Sequence, residues 1–380
     1  MKRILAALVC LAMLISGALA EVNRYDEVFD PAGDEGNLTV RFLWLGSQVA
    51  DDKPGDSMIL TSPDGKIMVL DAGHPDAAQY VTDALDKLGV TKIDYLMASH
   101  PHIDHIGGFP TLMDKYEIGA LYTSPLEYPT ASYNAYMDKA REKNIQHIIL
   151  KEGDTLNFGE QVTVEVLNPP SEIVYPDNYP TGSTQFVNNH SLALKFTYGT
   201  STILLCGDLY TGGEKDVVSR WGDKLDCDVT KANHHGADTS SSSKWRNAVT
   251  AEITIVTSDA IESLSNLKKY IRNDKLMYHI LWDGCIRLST PGDGTYQVNF
   301  TYPVGSYMNP AELQINYSNY SVHAEGSAEY HYIWTAPANG TLSLQMTAYE
   351  TVNYDEIGWF YAVSNQTSGV VGDNQWSDSD

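Results

Sequence analysis

The chain has 380 residues, with 25 basic against 49 acidic side chains and a formal net charge of −24. That length allows one large domain and a smaller one around a sizeable core. The acidic balance disfavours sequence-independent binding of long nucleic acids, because a negative surface repels a polyanion. Four cysteines in the whole chain are too few for a disulfide framework, so stability must come from the core.

Residues 1–20 have the pattern of a cleaved secretory signal. Lys2 and Arg3 precede a short apolar run, which ends in small residues at Ala20. The alternative is a membrane anchor, but the run is shorter than the roughly 18 to 20 apolar residues that span a bilayer. We expect cleavage near Ala20, a mature chain without a transmembrane segment that is secreted or held at a bacterial cell surface, and an N-terminal linker over residues 21–37.

The next part of the chain alternates strand and helix patterns. Two β-rich runs flank the turn sequence SPDGK, which predicts a β-hairpin. Apolar residues at helical spacing between Pro75 and Gly89 predict a helix, and KIDYLMAS then predicts a strand that ends directly before His100. The stretch QHIILKEGDTLNFGEQVTVEVLNP predicts two strands around one turn, and HSLALKFTYGTSTILLCGD predicts a hairpin that ends at Asp208. These elements predict a layered α/β domain over residues 38–300.

Composition changes after this domain. Residues 301–380 contain acidic but no basic side chains, many tyrosines and short alternating segments. The pattern predicts a small all-β, sandwich-like C-terminal domain that ends in a linker. Its aromatic residues are expected to fill a core, and the alternative is a set of aromatic platforms that contact cell wall or carbohydrate.

The stretch SHPHIDHIGG concentrates four potential metal ligands in six positions: His100, His102, Asp104 and His105. In an extended segment side chains at i and i+2 point the same way, so the first two histidines can face one ion. The other two side chains, on the turn that follows, can face a second ion. Imidazole and carboxylate suit Zn²⁺, and also Mn²⁺ or Fe²⁺. A solvated polar loop would not need the apolar strand before it or the two glycines after it.

Two later segments add candidates. Asp208 follows an apolar strand, where a carboxylate can bridge two ions, although an ordinary turn aspartate is the alternative. The segment KANHHGADTSSS then offers His234 and His235, and its hydroxyls, with Thr239 and Ser240 as the candidates, can donate hydrogen bonds to an anionic oxygen.

The segments DAG, SHPHIDHIGG, CGD and NHHG, in this order, resemble the metallo-β-lactamase superfamily of hydrolases. Within it the chain is most similar to the ComEC-type competence-protein branch, whose relatives include secreted phosphorylcholine esterases. The resemblance covers residues 38–300 and implies an αββα sandwich with a two-metal site at one edge of its sheets. It implies His100 and His102 for the first ion, Asp104 and His105 for the second, and Asp208 as the bridge. One histidine of the HHG segment would complete the second site, with His235 favoured and His234 as the alternative.

Two departures from the family pattern stand out. Many members place a further histidine before the bridging aspartate, and here His190, in NNHS, lies near that place and is a candidate ligand. The alternative is that Asn188 and Asn189 contact substrate or water there. Relatives also often carry a GHP-like segment after the HHG loop, whereas SDAIESLSNLKKY has no histidine.

The expected activity is metal-dependent hydrolysis by a metal-bound hydroxide, because divalent ions lower the pKa of bound water. Asp104 is expected to orient the hydroxide or accept its proton, and His234 to stabilise charge on the attacked centre. A small or cell-surface phosphodiester is the favoured substrate. The alternatives are hydrolysis of amide, lactone or β-lactam bonds, and a cell-surface binding protein with a vestigial metal site.

Overall fold

The structure is a computed structural model that describes residues 24–46 and 53–301, together with four two-residue strands beyond them. The expected signal sequence and nearly all of the expected C-terminal domain lie outside these residues, so both stay predictions. No helix in the described part of the chain is long and apolar enough to cross a membrane.

Strands and helices alternate along the chain. The strands are β1 Leu38–Phe42, β2 Ser57–Thr61, β3 Ile67–Ala72, β4 Lys92–Met97, β5 Glu117–Thr123, β6 Gln146–Ile149, β7 Thr155–Phe158, β8 Val162–Asn168, β9 Ala193–Tyr198, β10 Ser201–Cys206, β11 Val229–Lys231, β12 Ile253–Val256, β13 Leu276–His279, β14 Ile286–Thr290 and β15 Gln297–Phe300. The helices are α1 Arg24–Val28, α2 Ala78–Lys87, α3 Ile103–Ile106, α4 Phe109–Lys115, α5 Ala131–Glu142, α6 Thr184–Asn189, α7 Thr211–Trp221, α8 Ser243–Val249, α9 Leu264–Tyr270 and α10 Ile280–Asp283. The short strands are Ala311–Glu312, Tyr332–Ile333, Ser364–Asn365 and Gly369–Val370.

The fifteen longer strands form two sheets. One has the order β15-β14-β1-β2-β3-β4-β5-β6 and the other β13-β12-β11-β10-β9-β8-β7. Strands β3 to β6 are parallel to one another, as are β10 to β13, while the rest of each sheet is antiparallel. Each sheet therefore has a parallel half whose strands deliver their carboxyl ends to one edge.

Side chains alternate along the strands, so one face of each sheet packs into a core between the sheets and the other face packs on helices. Val40 and Phe42 of β1 point into the core between the sheets, where they meet Phe196 and Leu205 of the second sheet. The outer face of the first sheet packs on α2, α4 and α5, and that of the second packs on α7, α8 and α9. This order of layers confirms the predicted αββα sandwich.

The hairpins are largely where the sequence predicts them. Strands β2 and β3 pair around SPDGK, with Gly65 at φ +83°, and β9 pairs with β10. The stretch after α5 differs, because it forms three strands instead of two. A turn at Lys151–Asp154 separates β6, in the first sheet, from β7 and β8, in the second. The chain crosses between the sheets at this turn, so the local pattern of one long hairpin was misleading.

Candidate metal centre

The HPHIDH segment lies at the carboxyl end of β4 and bends into the single turn of α3. His102 is extended, with φ −75° and ψ 151°, and caps the helix that carries Asp104 and His105. The extended part brings Nε2 of His100 to 2.9 Å from Nδ1 of His102. The spacing of the motif thus groups the first two histidines, as the sequence predicts.

Asp208 and His235 reach the same edge from the second sheet. Oδ2 of Asp208 lies 3.2 Å from Nε2 of His105 and 3.2 Å from Nε2 of His235. The same oxygen lies 3.9 Å from Nε2 of His100. One carboxylate oxygen therefore lies between His100 on one side and His105 and His235 on the other, which is the geometry of a bridging ligand.

Asp104 lies on the more exposed side of the pair formed by His105 and His235. Its Oδ2 lies 3.8 Å from Nε2 of His105 and 3.9 Å from Nε2 of His235, and its side chain keeps 19% of its exposure. The residues that could hold one ion are then His100, His102 and Asp208, and those that could hold a second are Asp104, His105, His235 and Asp208.

The buried ring nitrogens test whether these side chains fit a metal. Nδ1 of His105 donates to Asp71 at 2.8 Å, and Nδ1 of His235 donates to the carbonyl oxygen of Thr257 at 2.8 Å. With the proton on Nδ1, each Nε2 presents a lone pair. Both Nε2 atoms are buried and have no hydrogen-bond partner among the described residues. A buried polar atom without a partner is costly, and a divalent cation at this point would satisfy both.

Asp56 also lies beside this centre. One ligand atom each from Asp56, His105, Asp208 and His235 lies within 4.8 Å of the others. Asp56 is already engaged, because its Oδ2 is 2.7 Å from Nζ of Lys231 and its Oδ1 is 3.1 Å from Nδ1 of His235. A metal held by Asp56 would lie against an ammonium group, so we assign Asp104 as the ligand and Asp56 as the support of His235.

Ser99 fixes the proton on the other buried histidine. Its hydroxyl donates to Oδ2 of Asp71 at 2.6 Å, so Nδ1 of His100 must donate to Ser99 Oγ across 3.0 Å. Nε2 of His100 is then left with its lone pair, facing Asp208. Asp71, at φ 61°, is one of the few non-glycine residues with a left-handed backbone, a strain that is common at functional sites.

The charged groups at the centre shift one another's pKa values. Burial opposes the charged form of His235, but Asp208 and Asp56 outweigh it and raise its pKa to about 10. Carboxylates led by Asp208 likewise raise the pKa of His105 well above its ordinary value against the effect of burial. Burial lowers the pKa of His100 well below its usual value, so that ring is neutral. The metal-free site holds protons where the carboxylates favour cations, and divalent ions would displace them.

His234 lies beside the centre without joining it. His234, His235 and Gly236 all have positive φ, at 47°, 55° and 84°, so the loop turns sharply and the two imidazoles separate. Nδ1 of His234 is 2.5 Å from Oγ1 of Thr239, and its ring packs on that of Tyr210 at a tilt of 44°. Burial lowers the pKa of His234 to about 4, which keeps it neutral.

Several predicted contacts are replaced by structural ones. His190 was a candidate ligand, but its Nδ1 donates to the carbonyl oxygen of Phe186 and its ring packs on the Phe186 ring, because α6 turns it away from the centre. Asn189 accepts from the backbone N–H of Gly213 at 2.9 Å, so it ties α6 to α7 and does not face substrate. Ser240 is buried and donates to the carbonyl oxygen of Leu209.

Asn188 and Thr239 keep a place near the chemistry. Asn188 is buried beside His102 and Tyr210, and its Oδ1 has no hydrogen-bond partner within the described part of the chain. Its predicted contact with substrate or water stays a prediction. Thr239 contacts the ring of His234 through its hydroxyl, and its predicted contact with substrate stays a prediction.

Asp56, Asp71 and Lys231 are the residues that sequence reasoning missed. Asp71 is the next-to-last residue of an apolar strand, so it lies near a strand end, as Asp208 does. Asp56, in PGDS, precedes a strand that runs antiparallel to β3 and therefore begins at the same edge. Lys231 gave no usable signal, because a lysine at the end of a short apolar strand is ordinarily exposed.

Aromatic side chains form a wall beside His102. The Tyr128 ring lies 5.7 Å from that of His102 and 6.0 Å from that of Tyr179, which in turn contacts Tyr175 and Phe186. The backbone N–H of Glu127 donates to the Tyr175 hydroxyl, and the Tyr179 hydroxyl donates to the carbonyl oxygen of the same residue. These bonds join the loop at residues 124–130 to the loop at residues 170–183.

A two-sheet sandwich with imidazole and carboxylate donors from both sheets at one edge defines a protein with a metal-binding hydrolase-type site. Residues 50–174 match the sequence profile of the metallo-beta-lactamase superfamily. Over these residues the match agrees with the family resemblance that the motifs indicate.

Two curated relatives extend the match. Competence protein ComA of Neisseria gonorrhoeae is 24% identical over 216 residues, which are 57% of this chain and 27% of that protein. ComE operon protein 3 of Bacillus subtilis is 24% identical over 271 residues, 67% of this chain and 33% of the relative. The likeness to the ComEC-type branch is confirmed, while the chain spans a third or less of the length of these relatives.

Solved structures with similar folds share less sequence. A diphosphatase from the PhnP family is 14% identical, with a TM-score of 0.40, and covers 67% of this chain and 98% of its own. The metallo-beta-lactamase fold protein YhfI from Bacillus subtilis is 14% identical, with a TM-score of 0.39, and covers 64% of this chain and 96% of its own.

Proposed function

We propose that the chain is a hydrolase that uses two divalent metal ions, with Zn²⁺ as the first candidate, to cleave phosphodiester bonds. The observation that carries the proposal is the position of Oδ2 of Asp208, 3.2 Å from the Nε2 atoms of His105 and His235 and 3.9 Å from that of His100. A single oxygen shared by two donor groups is suited to a pair of ions a few ångströms apart.

When bound, the two ions lower the pKa of coordinated water and offset negative charge on both the attacking and the departing oxygen of a phosphodiester. The protein positions the reacting groups. Asp104, on the more open side of the centre, orients the attacking water and accepts its proton. His234, neutral and held by Thr239, contacts a phosphoryl oxygen from the opposite side.

The aromatic wall supports a substrate with a flat or apolar group next to the phosphate. Tyr128 lies against His102, so a group attached to the phosphorus would contact this ring as the phosphate reaches the ions. Two tyrosines of the wall are held in place through Glu127, which gives the wall a fixed shape before substrate binds.

The test combines metal content with turnover of bis-p-nitrophenyl phosphate. We expect close to two ions per chain in the purified protein, turnover that a chelator abolishes and Zn²⁺ restores, and loss of both an ion and turnover in Asp208→Ala. Asp138→Ala removes a carboxylate that is 66% exposed on α5, and should retain both properties. Two ions without phosphodiester turnover would overturn the phosphodiester assignment and direct the search to lactone, amide or β-lactam substrates. A chain without metal would overturn the hydrolase proposal and favour a cell-surface binding protein.

We also propose that the enzyme works outside the cytoplasm, on a small or cell-surface phosphodiester. The basic start and short apolar run of residues 1–20 support export. N-terminal sequencing of the protein recovered from a bacterial host that secretes it should find Glu21 or a residue close to it. An N-terminus that retains residues 1–20 in the cytoplasmic fraction would contradict this proposal.

A further inference from the structure

We propose that Lys231 is a positioning residue that sets the geometry of the metal centre through two buried carboxylates, Asp208 and Asp56. The inference rests on the metal binding proposed above and concerns a residue that is not itself a ligand. Its ammonium group holds one oxygen of Asp208 away from the ions, and through Asp56 it holds His235 in its binding orientation.

The Lys231 side chain is fully buried at the carboxyl end of β11. Its Nζ lies 2.7 Å from Oδ2 of Asp56 and donates to the carbonyl oxygens of Gly207 and Ala232, each at 3.2 Å. Two of the three N–H bonds of the ammonium group are donated to these carbonyl oxygens, and the carboxylate of Asp56 is the closest opposite charge. Burying a lysine at such a depth is costly unless its charge is paired, so the position of Nζ is tightly determined.

Asp208 divides its two oxygens between different neighbours. Oδ2 faces the imidazoles of His105 and His235, whereas Oδ1 lies 3.8 Å from Nζ of Lys231. Oδ1 is buried and has no hydrogen-bond partner in the described part of the chain, so Lys231 is the positive charge that balances it. A carboxylate that can rotate freely can also bind one ion through both oxygens. The attraction between Oδ1 and Nζ favours the orientation in which Oδ2 alone lies between the two groups.

Asp56 transmits the position of Lys231 to His235. Its Oδ2 contacts Nζ, and its Oδ1 accepts a hydrogen bond from Nδ1 of His235 at 3.1 Å. The backbone N–H of Asp56 also donates to the carbonyl oxygen of Asp104 at 3.2 Å. The preceding residue must be glycine, because a Cβ at Gly55 would lie 1.6 Å from that same carbonyl oxygen. Asp56 therefore connects Lys231 to two assigned ligands of the second ion.

The experiment compares wild-type protein with the double variant Lys231→Met/Asp56→Asn. Replacing both partners removes one positive and one negative charge, so the net charge of the site is unchanged and only the orienting contacts are lost. Affinity for Zn²⁺ is measured by competition with a chromophoric chelator, together with the number of ions retained after dialysis. Lys195→Met is the matched control, because Lys195 also donates to two backbone carbonyls, those of Lys224 and Asp226, and has no contact with the centre.

We expect the double variant to bind the more weakly held ion about 10- to 100-fold less tightly, as is typical when support of a metal ligand is removed. Circular dichroism of the metal-free proteins should show the same folded spectrum in all three chains. Two ions bound with wild-type affinity by the folded double variant would overturn the role of Lys231 and leave the hydrolase proposal intact. If the wild-type chain binds no Zn²⁺ at all, the hydrolase proposal itself fails and this inference fails with it. If the double variant does not fold, Lys231→Arg replaces it. Arginine keeps the positive charge but not the position of Nζ, so the same ion should bind less tightly.

Discussion

Ser99 holds both oxygens of Asp71. Its backbone N–H donates to Oδ1 at 2.7 Å and its hydroxyl donates to Oδ2 at 2.6 Å, while Oδ2 also accepts from Nδ1 of His105. The residue directly before the histidine motif thus fixes a carboxylate on the neighbouring strand, and that carboxylate fixes a histidine of the motif. The residue that fixes Asp71 and the ligand that Asp71 supports are thus six positions apart, in the segment that follows β4.

This relationship predicts the effect of Asp71→Asn. An amide in place of the carboxylate weakens the bond to Nδ1 of His105 and removes the charge that fixes its tautomer. We expect Zn²⁺ affinity to fall about 10- to 100-fold. Chelator competition measures it, with Asp94→Asn as a control, because Asp94 is on β4 but lies near Lys66 at the opposite end of the strand. Unchanged affinity in Asp71→Asn would show that the hydrogen bond does not support metal binding.

The stabilisation that metal gives should grow with pH. A pKa of about 10 for His235 exceeds its unfolded value near 6.5, so the bound proton stabilises the metal-free fold most fully below about pH 6.5. That stabilisation is lost as the pH rises toward 10, whereas a bound ion replaces the proton. We expect Zn²⁺ to raise the Tm more at pH 8 than at pH 6. His147→Gln, an exposed histidine on β6, should keep this pH dependence, and an equal rise in Tm at both values would contradict it.

Removing His234 should separate catalysis from metal binding. The side chain bonds to Thr239 and packs on Tyr210, and it belongs to neither donor group. His234→Ala is expected to lower kcat by about 10²- to 10³-fold, as is usual for a lost electrostatic contact in the transition state. The metal content should stay at the wild-type level. Loss of an ion in this variant would instead identify His234 as a ligand.

The Tyr128 ring should contribute to substrate binding. Tyr128→Ala removes the ring next to His102, and we expect a higher KM for bis-p-nitrophenyl phosphate, whose rings can stack on the wall. One lost aromatic contact of about 0.5–1.5 kcal/mol corresponds to about a 2- to 13-fold rise in KM. Tyr25→Ala, an exposed tyrosine on α1, provides the comparison. An unchanged KM would place the substrate away from the wall.

A buried cluster of ion pairs that includes no metal ligand should affect the stability of the fold but not metal binding. Asp34 pairs with the fully buried Arg41 at 2.8 Å and with Arg287 at 3.1 Å. Asp34→Ala leaves two buried guanidinium groups without their carboxylate, which we expect to cost about 3–5 kcal/mol in the free energy of unfolding. Glu117→Gln breaks an exposed pair with Lys92 and should leave the free energy of unfolding close to the wild-type value, because solvent screens the pair. Urea unfolding measures both, and a similar cost for the two variants would refute the assignment.

The parts of the site that the sequence predicts are those that are local in the chain. The HPHIDH spacing alone indicates which histidines pair, because one extended segment and one helical turn determine their directions. The layered α/β class could be predicted in the same way, since the apolar residues of each strand and helix repeat with the period of that element, whereas the αββα arrangement was implied by the family resemblance. Asp56 and Lys231 could not, because their roles depend on which strands become neighbours.

Two of the candidate site residues direct their polar atoms elsewhere for a common physical reason. His190 and Ser240 were assigned by residue type and proximity in sequence, but backbone carbonyls at hydrogen-bonding distance determined where their polar atoms point. A histidine or serine side chain can pair its polar atom with a main-chain carbonyl oxygen, near or distant in sequence, as readily as with a ligand. Chain position alone does not distinguish these outcomes.

The division of the ligands between the two sheets has a consequence for the order of folding. The supporting and binding side chains begin at residue 56 and end at residue 235, so no short segment of the chain contains the complete site. A newly made chain must therefore bring both sheets together before it can capture its ions, and metal cannot nucleate the fold as it does in small zinc domains. The ions would instead bind late, joining ligands from two sheets that have already formed and slowing the separation of those sheets.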